Sequence, residues 1–138
     1  MSTLLVNVDV DDLDTATRFY CAACELRVGR RFDGAAELLG ASAPIYLLSK
    51  APGTRATPVS DEKRRYGRHW TPVHLDFVVE NVEQALARAE AAGATLESGI
   101  ESHPWGRLAL LADPFGNGFC LLQFTGRGYD EIAKRIAT

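Results

Sequence analysis

Along residues 5–10, Val6, Val8 and Val10 alternate with Leu5, Asn7 and Asp9, a period of two that predicts a half-buried strand. The period then lengthens. Leu13, Ala16, Phe19, Tyr20 and Ala23 fall on one helical stripe, with Asp11 or Asp12 placed to cap it, and the pattern fades around Glu25. Short strand-like runs follow at 26–32, 35–39 and 45–48. The same succession then returns. Leu75, Phe77 and Val79 alternate with His74, Asp76 and Val78, after which Asn81, with Gln84 three residues on, predicts a capped helix start. Val82, Ala85, Leu86, Ala89 and Ala92 form its stripe and Gly93 its stop, and strand-like runs recur at 95–100, 108–112 and 119–124. The copies are offset by 69 residues (74 minus 5), half of the 138-residue chain. A β-α-β-β-β order written twice predicts an α+β fold. It forms one domain over residues 1–138, with module 1 at about 3–50, a linker loop at about 51–71 and module 2 at about 72–125. A C-terminal helix is expected at about 127–137, with Tyr129, Ile132 and Ile136 on one side.

Composition narrows what such a chain does. With 46% hydrophobic residues the chain can fill a core, since a domain of this size buries roughly 68–70% of its unfolded surface. Fifteen Lys and Arg against 18 Asp and Glu give a net charge of −3, which argues against nucleic acid as a partner. The N-terminus shows no signal peptide and no run of eighteen apolar residues occurs, so neither export nor a membrane partner is expected. Three cysteines, an odd number, fit reduced thiols and a cytoplasmic protein. Between the halves, Arg55, Lys63, Arg64, Arg65 and Arg68 outnumber Asp61 and Glu62. That segment reads as a solvated connecting loop, or as a lid whose arginines meet an anionic ligand.

The strand, the Asp12-Leu13 pair, the helix bearing Phe19-Tyr20 and the later turn Asp113-Pro114-Phe115-Gly116-Asn117 resemble the paired modules of the vicinal-oxygen-chelate superfamily. This superfamily includes glyoxalase I, extradiol dioxygenases, fosfomycin resistance enzymes and metal-free bleomycin resistance proteins. The resemblance covers nearly the whole chain apart from the central loop and the tail. It implies that the two tandem βαβββ modules form a curved mixed sheet around a central cavity, commonly in a homodimer. It also implies metal-ligand positions on the first and last strands of each module, and these are Leu5, Tyr46, His74 and Cys120.

Donor chemistry then weighs against the usual metal. A Lewis-acid ion needs about three protein ligands and an open position. Leu5 has no donor, Tyr46 is a poor ligand unless ionised, and Cys120 brings a soft sulfur that shifts preference toward Zn²⁺ or Cu⁺. No metal or other cofactor is therefore expected, and a divalent metal on an altered site of His74 and Cys120, helped by Asp76, is the alternative. His74 and Asp76 share a strand face, which makes them a candidate catalytic pair with His74 as general base. The plainer reading leaves His74 as a pocket-lining side chain.

The ligand-binding candidates are Asn7, Asp9, Tyr46, Leu48, Cys120 and Leu122 on the inward strand faces, with Trp105 and Phe32, or Trp70, stacking at the cavity mouth. Such a mixed wall suits flat, partly polar organic molecules. Each aromatic also reads as ordinary packing. Cys21 and Cys24 have dithiol spacing but lie near a helix C-terminus, where thiolate is not favoured, so they read as small buried residues. Gly116-Asn117-Gly118 reads as a hairpin turn and His103 as loop polarity. Two functions remain. One is a protein that binds a small aromatic or antibiotic-like molecule without the usual metal. The other is a lyase, isomerase or dioxygenase of the same superfamily, using an altered metal site or His74 as base.

Overall fold

A computed structural model describes residues 1–134 of the chain. Strand β1 (Val6–Val10) runs into helix α1 (Leu13–Cys24), followed by β2 (Arg27–Phe32), β3 (Ala35–Leu39) and β4 (Ile45–Ser49). After the linker come β5 (Leu75–Val78), α2 (Val82–Ala92), β6 (Thr95–His103), β7 (Gly106–Ala112) and β8 (Gly118–Phe124). The duplicated order expected from the hydrophobic pattern is the observed one.

The caps follow from local chemistry. Asp12 accepts a hydrogen bond from the Thr15 N–H at 3.1 Å, and Asn81 accepts one from the Gln84 N–H at 2.9 Å. In the second module the Gln123 side chain on β8 also accepts from the Val82 N–H at 2.9 Å, so the sheet itself satisfies a helix-end donor. Gly93 closes α2 with φ +120, a conformation that L side chains rarely adopt.

Each module makes its own four-stranded mixed sheet, in the orders β1-β4-β3-β2 and β5-β8-β7-β6. The first strand pairs in parallel with the last because the intervening helix carries the chain back across the sheet, and the remaining pairs are antiparallel. The arrangement is two sheets and no closed barrel. Register fixes the internal correspondence. Asn7 lies beside Tyr46 in one sheet, and Asp76 lies beside Cys120 in the other. Leu5 and His74, Asn7 and Asp76, and Tyr46 and Cys120 thus occupy matching places.

One face of both sheets is covered by the helices. Val10, Ala16, Phe19, Leu38, Leu47, Val82, Leu111 and Leu121 belong to a single buried cluster that spans the modules. Phe19 of α1 meets Phe119 of β8 with ring centroids 6.2 Å apart. A polar tie reinforces this seam: the buried Tyr20 hydroxyl donates to Asp113, which also accepts from the backbone N–H groups of Phe115 and Asn117 at 2.8 and 2.9 Å. The turn noted in the sequence is therefore organised around one carboxylate. Over the expected C-terminal helix, the described residues hold a single 3-10 turn, Gly128–Glu131, and Ile136 lies outside them. Tyr129 packs edge-on against Phe124, with centroids 4.8 Å apart.

Candidate functional site

The sheet faces turned away from the helices carry the polar side chains that strand alternation placed there. On module 2, His74 Nε2 lies 3.2 Å from Asp76 Oδ1, and the buried Cys120 thiol stands near the same carboxylate. Burial, followed by the neighbouring negative charge, pushes the Cys120 thiol up to about 12. The three side chains place one donor atom each within 4.8 Å of one another. On module 1 the matching positions hold Leu5, Asn7 and Tyr46, and the chemistry differs. Tyr46 donates to Glu37 at 2.6 Å, and Arg30 closes the group with a 2.8 Å contact to the same carboxylate. Arg30 first, then Tyr46, holds the Glu37 carboxyl down to about 2. Phe32 lies beside this group, with its ring centroid 6.4 Å from that of Tyr46 and the Arg30 guanidinium 5.6 Å from the ring.

Two clefts run along the seam between the modules. The first, of about 630 Å³, is bounded by β1, β5 and the linker, and its wall includes Asn7, Asp9, Tyr66, Trp70, His74 and Phe77. The second, of about 800 Å³, lies against the loop after β3 and takes in Asp76, Val78 and Arg88. The expected wall is therefore divided. Asn7, Asp9 and His74 reach the first cleft and Asp76 the second, whereas Tyr46, Leu48, Phe32, Cys120, Leu122 and Trp105 line neither. Trp105 stacks on His103, with centroids 4.7 Å apart, and meets Tyr129 at 5.4 Å. Trp70, 78% exposed, is the tryptophan that borders a cleft.

The linker forms the roof of the first cleft, and its charges hold it in place. Arg64 Nε donates to Asp9 at 2.7 Å, while its Nη1 donates to the Arg55 carbonyl at 2.7 Å. Arg68 is bound by both oxygens of Glu97 at 2.6 and 2.8 Å. Two of the five basic side chains thus fasten the loop, and Lys63 and Arg65 border the cleft. Gly116 lets the linker approach: its φ is +92, and a Cβ there would collide with the Gly67 carbonyl oxygen. Sequence reasoning missed Glu37, Arg30 and the Arg64–Asp9 pairing. A charged residue in the middle of an apolar strand, flanked by Ala36 and Leu38, was the available signal for Glu37.

The Glyoxalase-like domain family matches residues 5–122, and the chain belongs to that family. An uncharacterised protein of Mycobacterium tuberculosis is 31% identical over 140 residues, covering 88% of this chain and 78% of the relative. Among solved structures, the genomically encoded fosfomycin resistance protein FosX of Listeria monocytogenes superposes with a TM-score of 0.69 at 17% identity, over 91% of this chain and 94% of that one. A glyoxalase/bleomycin resistance protein/dioxygenase family enzyme of Burkholderia phytofirmans gives a TM-score of 0.68 at 20% identity, over 88% and 97% of the two chains. At these identities the structural likeness shows the fold. Among the described residues, no helix is long and apolar enough to cross a membrane.

Proposed function

We propose that this chain binds a small organic molecule, aromatic or antibiotic-like, in the cleft beneath the linker, without the divalent metal commonly used in its superfamily. The observation that carries this reading is the donor set. The four positions that would share an ion are Leu5, Tyr46, His74 and Cys120, and module 1 supplies no ordinary ligand, because Tyr46 is committed to Glu37. A cleft of about 630 Å³ falls within the roughly 300–1,000 Å³ range of small-molecule sites. Its Tyr66, Trp70 and Phe77 offer area for a flat molecule, and Asn7 and His74 offer hydrogen bonds to orient it.

The test is a thermal-shift screen of chelator-treated protein against aromatic and antibiotic-like compounds. A hit whose stabilisation survives chelator and falls in Trp70→Ala and Phe77→Ala supports the reading. Stabilisation that appears solely when Mg²⁺, Mn²⁺, Ni²⁺ or Fe²⁺ is added would contradict it. The enzymatic alternative draws on the His74–Asp76 contact. Conversion of a bound compound, abolished by His74→Ala while binding persists, would select it.

A homodimer is part of the proposal. Leu5, Phe32 and Val78 are 52%, 47% and 61% exposed, and a second copy would cover such side chains. Light scattering on the purified protein checks this. Three free thiols, Cys21, Cys24 and Cys120, fit a reducing cytoplasmic setting.

A further inference from the structure

We propose that the organic molecule held beneath the linker is an anion, whose carboxylate or sulfonate end is met by Lys63 and Arg65. This rests on the reading that the cleft binds an organic compound, and it names the charge that compound carries.

The linker is braced, so its side chains are carried on a fixed support. The Gly53 N–H donates to the Arg64 carbonyl and the Arg64 N–H to the Thr54 carbonyl, both at 2.8 Å, and the Ala56 N–H donates to the Glu62 carbonyl at 2.9 Å. Arg55 and Lys63 form an antiparallel bridge within the same hairpin. The hairpin is then fixed to module 1, where the Tyr66 hydroxyl donates to the Lys50 carbonyl at 2.6 Å and Arg64 to Asp9 at 2.7 Å. Three of the linker's basic side chains are used up in ion pairs: Arg55 with Asp61, Arg64 with Asp9 and Arg68 with Glu97. Lys63 and Arg65 make no ion pair among the described residues, and both border the cleft. Two uncompensated cations held on a braced roof leave less to be ordered when a ligand arrives.

The sign of the wall follows. Arg64 neutralises Asp9, which leaves Lys63 and Arg65 against Glu62, a net positive lining on a chain whose overall charge is −3. The second cleft has the opposite character. Its wall holds Arg88, already paired with Glu25 at 3.2 Å, together with Asp76 and Glu80, so its lining is net negative. Of the two clefts, the one beneath the linker is therefore the one that suits an anion. Tyr66, Trp70 and Phe77 offer area for an aromatic body, and the Arg65 guanidinium offers a planar fork of N–H donors matched to two oxygens of a carboxylate or sulfonate. Lys63 and Arg65 are exposed, so the anionic end keeps part of its water and the cost of desolvating the charge is small.

The experiment titrates chelator-treated full-length protein by calorimetry with one naphthalene body carrying four head groups: 2-naphthoate, 2-naphthalenesulfonate, 2-naphthamide and 2-naphthylmethylammonium. The two anions are expected to bind at least about fivefold more tightly than the amide, with the ammonium weakest. That preference is expected to shrink as salt rises from about 0.05 to about 0.5 M, because exposed charges are screened. A Lys63→Gln/Arg65→Gln double variant is expected to lose the preference while keeping its amide affinity, and Arg65→Glu to move the order toward the ammonium. Trp70→Ala is expected to weaken every head group alike, which assigns them to one cleft. Equal binding of amide and naphthoate in the wild type, or an anion preference intact in the double variant, would overturn the proposal while leaving the organic-ligand reading standing. So would failure of the two anions to bind a protein that takes neutral hits from the wider screen. If neither these compounds nor the screen yields binding, the organic-ligand reading falls and the proposal falls with it.

Discussion

Asp113 shows how much a single side chain can organise. Its two oxygens accept from Phe115, Asn117 and the Tyr20 hydroxyl, joining a module 2 turn to a module 1 helix in the buried seam. Tyr20→Phe removes one hydrogen bond to a charged group and is expected to cost about 1.5–3 kcal/mol by urea denaturation. Asp113→Ala should cost more, since it also strands two backbone donors. Glu37 gives a pH signature. Its carboxyl lies at about 2 in the folded chain against an ordinary 4.5, so the folded state favours the ionised form. The associated stability is complete above pH 4.5 and is lost as pH falls toward 2. Glu37→Gln is expected to flatten that part of the melting temperature against pH, and an unchanged acid limb would contradict the assignment. Thiol reactivity is a further check. Cys24 and Cys120 are both pushed up to about 12, so native-state alkylation at neutral pH should be slow at each and become fast on unfolding.

At the scale of elements, the helices and strands were legible because their signals are local. A period of two, a stripe of period 3.6, and the caps Asp12, Asn81 and Gly93 each speak within a few residues of the structure they specify. The linker was not legible in this way. Asp9 meets Arg64 across 55 positions, and Arg68 meets Glu97 across 29; such long-range charge pairing leaves no periodic trace. For the same reason Trp105, whose loop suggested a cavity mouth, instead packs with His103 and Tyr129, and Trp70 takes the bordering place. Gly116→Ala tests how closely the linker rests on module 2. It combines a strained φ with a collision at Gly67, so a loss of more than about 1 kcal/mol is expected. Weakened binding of any hit from the screen should accompany it.

For the whole molecule, the repeat produces two sheets, one shared helical core, and a seam whose clefts combine residues from both halves. Duplication also gives each module matching positions on its first and last strands, and the chain has filled them differently. Module 1 spends Tyr46 on an internal carboxylate network, whereas module 2 brings the exposed His74 and Asp76 near the buried Cys120. Residue types at these positions could be read from the sequence. Their grouping could not, because it depends on which strands pair and on which rotamers the neighbours allow. The central claim is that the cleft binds an organic molecule without the usual chelated ion. It is tested most directly by titrating chelator-treated protein with the strongest screen hit and following the melting temperature. At a hundred times the dissociation constant, stabilisation of about 2.7 kcal/mol is expected in wild type. At the same concentration it should be much reduced in Phe77→Ala. No stabilisation by any compound until a divalent hard metal is restored would contradict the account.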